Sequence, residues 1–200
     1  IAAGRGLVPA LQHVFRNTEW SLPRLGSIRS PDNVAGALEI MVPRSARWMD
    51  KATAQIRACV AGDDLAFHAR VIDSDVKQRA AMPWTASCIE IYASPIADKK
   101  IRQAFLVPAA EGHPACGAWQ DGTQTRTTSD IRVTSTPTED GYELQALIPL
   151  SLLGNPMNGD SFLLEAIVIS ALKKGADPVR SVLFNSMADV IRETGGYGVI

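Results

Sequence analysis

Cysteine is scarce. Cys59, Cys88 and Cys116 are the three in 200 residues, they stand far apart, and they are odd in number. With no CxxC pair among them, a thiolate zinc site and a dense disulfide scaffold are both excluded. They read as small core or half-buried residues, with a bridge between two of them as the alternative. Histidine is equally rare: His13, His68 and His113 are isolated, and the chain has no GxSxG elbow, HExxH, phosphate loop or GxGxxG. Nucleophilic and zinc catalysis therefore have no sequence support, and no pair of carboxylates stands out for glycoside hydrolysis. Charge of one sign is missing too, since 20 Lys and Arg face 21 Asp and Glu for a net −1. That balance gives no basic patch for nucleic acid and leaves the charges as a scattered, solvated surface. No apolar run reaches the ~20 residues that span a bilayer. The longest, residues 162–172, is interrupted by Glu165 and Ser170.

What the chain does have is a period of two and 46% hydrophobic residues. A chain of this length buries roughly 70% of the surface its unfolded form exposes, enough for one domain with a true core. In residues 55–60 the apolar side chains fall on Ile56, Ala58 and Val60. After the turn at 61–64 they fall on Leu65, Phe67, Ala69 and Val71, which predicts a β-hairpin. Further strands are expected over residues 87–92, 102–107, 131–135, 142–148, 162–170, 179–185 and 197–200. Turns are marked by Pro95, Gly112, Thr136-Pro137, Asp140-Gly141, Gly154-Asn155-Pro156, Gly175 and Gly195-Gly196. Many short strands at this spacing predict an all-β antiparallel sandwich, immunoglobulin-like or jelly-roll-like.

The first residues differ. A short helix is expected over residues 7–16 and an irregular, proline-containing stretch after it, so residues 1–36 read as a linker or appendage wrapping a sandwich at 37–200. Residues 37–42 (ALEIMV) read as an edge strand stopped by Pro43. Beginning at Ile1 rather than methionine, the chain reads as a processed form or a piece of something longer, with no signal peptide visible.

One stretch, MPWTASCIEIYASP at 82–95, places Trp84 after a proline and Glu90 between two isoleucines. Period two turns Ile89 and Ile91 to the core and puts Cys88, Glu90 and Tyr92 on the other face. Together with AQIRACVAGDDLAFHARVIDSDV before it, and GYELQALIPLSLLG, FLLEAIVIS and GGYGVI after it, this stretch resembles the family 9 carbohydrate-binding modules and the related DOMON-like sandwiches. The resemblance covers about residues 52–200. It implies a non-catalytic β-sandwich that holds a mono- or oligosaccharide between aromatic rings and polar groups. It also implies an extracellular or periplasmic setting beside other domains of a carbohydrate-active polypeptide. On this resemblance Trp84 takes the stacking position and Glu90 the carboxylate that grips sugar hydroxyls, with Trp119, Asn185 and Arg192 as further ligand candidates.

The chain also departs from the family pattern. Ser87 replaces an aspartate, Gln145 stands where glutamate is common, Leu106 and Pro108 stand where an arginine and an asparagine serve the sugar, and Ile191 aligns with the second stacking tryptophan. A divergent sandwich with a lost site, serving as a structural or protein-interaction domain, is therefore the alternative. There Trp84 plugs the sandwich and Glu90 pairs with Arg57 or Arg102. A weaker alternative, from haem-binding DOMON-like relatives, offers His68, Met82, Met157 or Met187 as axial ligands. His68 otherwise reads as a partly exposed sheet histidine. No cofactor is expected, except that Asp73 and Asp75 offer oxygens to a structural calcium ion.

Overall fold

The central hairpin forms where the alternation predicts it. In the computed structural model, which describes residues 20–95, 100–121, 124–154, 162–184 and 198–199, β3 (Lys51–Ala61) pairs antiparallel with β4 (Asp64–Ile72), Ala61 lying opposite Asp64. The turn needs Gly62. Its φ is +61°, and a Cβ there would fall 2.5 Å from the Ser27 Oγ.

Around this hairpin the sheet grows in both directions. On the far side of β4 lie β10 (Gly141–Pro149) and then β9 (Arg132–Thr138), while β2 (Arg44–Trp48) flanks β3. A second group runs in the order β8 (Gln124–Thr128), β7 (Cys116–Asp121), β6 (Arg102–Val107), β5 (Cys88–Pro95), β11 (Phe162–Ser170) and β12 (Val179–Val182). The two groups join where Val182 pairs with Arg47, so one continuous sheet curls over on itself. Two-residue strands complete it: β1 (Arg24–Leu25) runs parallel beside β3, and β13 (Gly198–Val199) pairs with β11.

Curling closes the core. Ile56, Phe67, Val71 and Leu144 from the first group share one buried cluster with Ile89, Ile91, Leu106, Leu164 and Val168 from the second. Each such side chain contributes about 1.5–3 kcal/mol of burial, so period two in the sequence becomes two inner faces pressed together as an antiparallel β-sandwich.

Two local expectations are corrected. The edge strand predicted at 37–42 is instead helix α1 (Val34–Ala37) followed by turns, and the strand begins only after Pro43. The decisive signal is Ser30-Pro31. The Ser30 hydroxyl caps the Asp32 N–H and Pro31 opens a helical turn, so Val34 and Leu38 meet on one face and bury against Cys59, Ala66 and Leu147. Ile40 and Val42, whose alternation suggested a strand, are exposed. Next, β7 and β8 form over residues 116–121 and 124–128, where the alternation predicts no strand. Gly117 is there for close approach rather than turning, because a Cβ would fall 2.4 Å from Ile131 Cβ. From Trp20 onward the N-terminal stretch lies against the sandwich: Trp20 and Leu22 pack on the core, and the Arg44 guanidinium sits 5.4 Å from the Trp20 ring and 5.2 Å from that of Phe184. The helix expected over residues 7–16 lies outside the described residues.

Candidate functional site

The second group of strands has an outer face as well as a core face. Because side chains alternate along β5, Cys88, Glu90 and Tyr92 project away from the core that holds Ile89 and Ile91. Sheet register then lays out a row across four strands: Phe105 of β6, Glu90 of β5, Ile167 of β11 and Val182 of β12. Cys88, Tyr92, Phe105, Ile167 and Ile169 form a second apolar cluster on this face, and Glu90 is embedded in it.

Glu90 is 1% exposed. Its Oε2 accepts a 2.5 Å hydrogen bond from the Tyr92 hydroxyl, which in turn accepts from Gln103 Nε2 at 2.7 Å. Its other oxygen is held less well. The Arg180 Nη1 lies 3.6 Å from Oε1, an ion-pair distance without a hydrogen bond, and among the described residues Oε1 has no hydrogen-bond partner. Burial pushes the carboxyl pKa up, and the Tyr92 bond and Arg180 charge only partly oppose it.

Arg180 also reaches the tryptophan, donating from Nη2 to the Trp84 carbonyl at 3.3 Å. Trp84 sits in a short helical turn, Pro83–Thr85, closed by the Thr85 hydroxyl donating to the Met82 carbonyl at 2.8 Å. Its indole is 36% exposed and leans on Phe105, with ring centroids 5.9 Å apart and tilted by 45°. A partly exposed indole, a half-exposed guanidinium and a buried carboxylate thus share one edge of the second face. Such a set offers an apolar platform, N–H donors and one unfilled acceptor.

A second carboxylate shares the face. Glu165 is fully buried, and its Oε1 accepts from the backbone N–H groups of Ala166 (2.9 Å), Leu183 (2.9 Å) and Phe184 (3.1 Å). It brackets the chain leaving β12, a structural task that explains the charge inside an apolar strand.

The other predicted residues disperse. Trp119 lies in β7, half-buried against the main core on the face opposite Glu90, and so is not brought to the site. Asn185 and Arg192 lie outside the described residues, as do Ile191, Met157 and Met187. Asp73 is buried and uses Oδ1 for the N–H groups of Asp75 and Ala171 and Oδ2 for the Ser87 hydroxyl. The Asp75 carboxylate holds Lys77 and the Gly175 N–H. These oxygens brace a loop with N–H and O–H donors rather than converging on a cation. Ser87 is thereby structural, and Gln145 lies in the other strand group, accepting from the Ala35 N–H. Neither proposed partner reaches Glu90: Arg57 donates to the Met41 carbonyl and Arg102 to that of Lys100. His68, read as partly exposed, is buried, and burial lowers its pKa. It sits in β4, on the face away from the main core that holds Phe67 and Ala69. Cys59, Cys88 and Cys116 are all unbridged.

Sequence reasoning missed Arg180, Gln103 and the Tyr92 hydroxyl as partners of Glu90. Period two places Tyr92 beside Glu90, but nothing in the sequence says that β12 lies two strands away with Arg180 on the same face.

No protein-family model and no curated protein matches the sequence. Solved structures do match. A family 9 carbohydrate-binding module from Caldicellulosiruptor kristjanssonii in complex with cellotriose is 16% identical, with a TM-score of 0.61 over 90% of this chain and 92% of that one. Such a module from the same organism in complex with glucose is 17% identical, with a TM-score of 0.55 over 92% and 93%. A Bacteroides uniformis protein proposed to bind carbohydrate is 14% identical, with a TM-score of 0.61 over 91% and 97%. The chain has the fold of the family 9 modules.

Proposed function

We propose that this chain is a non-catalytic carbohydrate-binding module that takes a mono- or oligosaccharide at the edge of the second face, where Trp84 and Arg180 are exposed beside the buried Glu90. The observation that carries the reading is the Glu90 Oε1, a buried carboxylate oxygen with no hydrogen-bond partner among the described residues, beside a half-exposed arginine and a partly exposed tryptophan. A buried acceptor left unfilled costs about 1–3 kcal/mol, and a sugar hydroxyl fills such a position. Trp84 supplies the platform for the apolar CH face of a pyranose ring. The Arg180 guanidinium holds Glu90 from outside at a distance that leaves it free to turn, so that its N–H groups and the carboxylate both meet hydroxyls. The sandwiches bound to cellotriose and glucose that share this fold support the ligand class. By the same likeness the chain acts outside the cytoplasm as an accessory domain of a carbohydrate-active protein. Titration of the chain with a broad panel of mono- and oligosaccharides, followed by tryptophan fluorescence, tests the reading. A response that disappears in Trp84→Ala supports it, and silence across the panel refutes it.

One observation favours a second reading. Glu90 Oε2 is already satisfied inside the protein by Tyr92, and the Trp84 indole leans on Phe105 as a structural plug would. On this reading the sandwich has lost its sugar and serves as a structural or interaction domain, the outcome that a silent panel would support.

A further inference from the structure

The row that carries Glu90 continues past Val182. Val182 pairs with Arg47 of β2, so one row of side chains on this face runs from the buried Phe105, Glu90 and Ile167 to the accessible Arg47. From Glu90 to Arg47 is three strand steps, roughly 14 Å, the scale of a short oligosaccharide. At the far end a groove of about 370 Å³ is lined by Arg47, Trp48, Met49, Arg180, Val182 and neighbouring residues, with no acidic side chain among the described residues that line it. Arg180 belongs to both ends, touching Glu90 and Trp84 on one side and the groove on the other.

Several features shape this groove. The β2–β3 register slips between Ala46 and Arg47, a bulge of the kind that re-aims side chains beside binding sites. Met49 follows with a φ of 54°, unusual for a side chain other than glycine, and the Arg47 Nη1 holds the turn by donating to the Asp50 carbonyl at 2.6 Å. Each guanidinium carries five N–H donors, and the contacts that Arg47 and Arg180 make inside the chain use only part of them. Trp48 supplies an aromatic wall.

We infer that this groove is a second subsite for an acidic sugar, a uronate whose carboxylate is taken by Arg47 and Arg180 while its ring packs on Trp48. A planar carboxylate matches the guanidinium fork, and two such forks in one groove select for it by charge complementarity. The inference rests on the carbohydrate-binding reading above and names its substrate class: a short oligosaccharide with a neutral unit at Trp84 and a uronate at Arg47.

Calorimetry with matched ligands tests it, using xylotriose against xylotriose bearing one glucuronate, and cellotriose against its C6-oxidised uronate form. The expected result is at least tenfold tighter binding of the uronates at low salt, a preference that shrinks as salt is raised. Arg47→Met and Arg180→Met should each reduce it to threefold or less, while far-ultraviolet circular dichroism and the unfolding temperature confirm a folded chain. Equal binding of neutral and acidic partners, a preference untouched by Arg47→Met, or tighter binding of a sulfated trisaccharide would each overturn the uronate subsite alone. Binding of none of these sugars, with no response across the wider panel, would overturn the carbohydrate reading along with it.

Discussion

Arg180 stands 3.6 Å from Glu90, close enough for attraction and too far for a hydrogen bond, while its second nitrogen donates to the Trp84 carbonyl at 3.3 Å. The guanidinium, half-exposed itself, lies between a buried charge and the partly exposed indole. It compensates Glu90 incompletely.

That incompleteness has a pH signature. The carboxyl pKa of Glu90 is raised by burial above the ordinary 4.5. Between the ordinary and the folded pKa the native chain holds more protons than the unfolded one, so stability falls as pH rises through this window and stays lower above it. Glu90→Gln removes the penalty. Its unfolding temperature should exceed that of the parent at neutral pH by roughly 2–4 °C, the shift that about 1 kcal/mol gives in a chain of this length. The gap should close as pH approaches 4.5. Calorimetric scans of both proteins across this range measure it.

His68 has the opposite sign. Its imidazole is buried between β3 and β10, among the described residues neither ring nitrogen has a hydrogen-bond partner, and desolvation holds its pKa below 6.5. As pH falls below 6.5 the unfolded chain takes up a proton before the native chain does. Stability therefore drops until the folded ring titrates. Between about pH 7 and pH 5.5 the urea midpoint of His68→Leu should lack the decline that His68 gives the parent, so that the parent loses stability relative to the variant as pH falls. An equal decline in both would remove His68 from the account.

Glu165 is predicted to matter for the fold rather than for ligand. Its Oε1 gathers three backbone N–H groups, and Glu165→Ala strands all three in a buried setting. A loss of roughly 2–4 kcal/mol follows, since each orphaned donor costs about 1–3 kcal/mol and some relax toward water. Equilibrium urea unfolding gives the number.

The sandwich was legible because its evidence is local. Alternation at residues 55–60 and in Leu65, Phe67, Ala69 and Val71 fixed the central hairpin, and the split between Ile89-Ile91 and Glu90 carried into three dimensions unchanged. Misreadings arose where one signal masked another. The apolar alternation of 37–42 hid the Ser30-Pro31 helix start, and the strands at 116–121 and 124–128 went unpredicted. The site was only half legible. Trp84 and Glu90 are near neighbours in sequence, the one in the turn that leads into β5 and the other within it. Arg180 reaches them only through β11, and its contact with Glu90 joins residues 90 apart, which no local pattern encodes. Trp119 was misplaced for the same reason, since a one-residue shift in an unrecognised strand decides which face an indole takes.

The central claim is that Trp84 and Glu90 grip one sugar, and a glycan-binding comparison of four proteins tests it most directly. The parent should bind at least one oligosaccharide. Trp84→Ala should lose that binding, Glu90→Gln should weaken it by roughly tenfold, as expected for a charge-assisted hydrogen bond, and Trp119→Phe should bind as the parent does. Parent and variants all binding no glycan, or Trp84→Ala binding as tightly as the parent while remaining folded, would contradict the account.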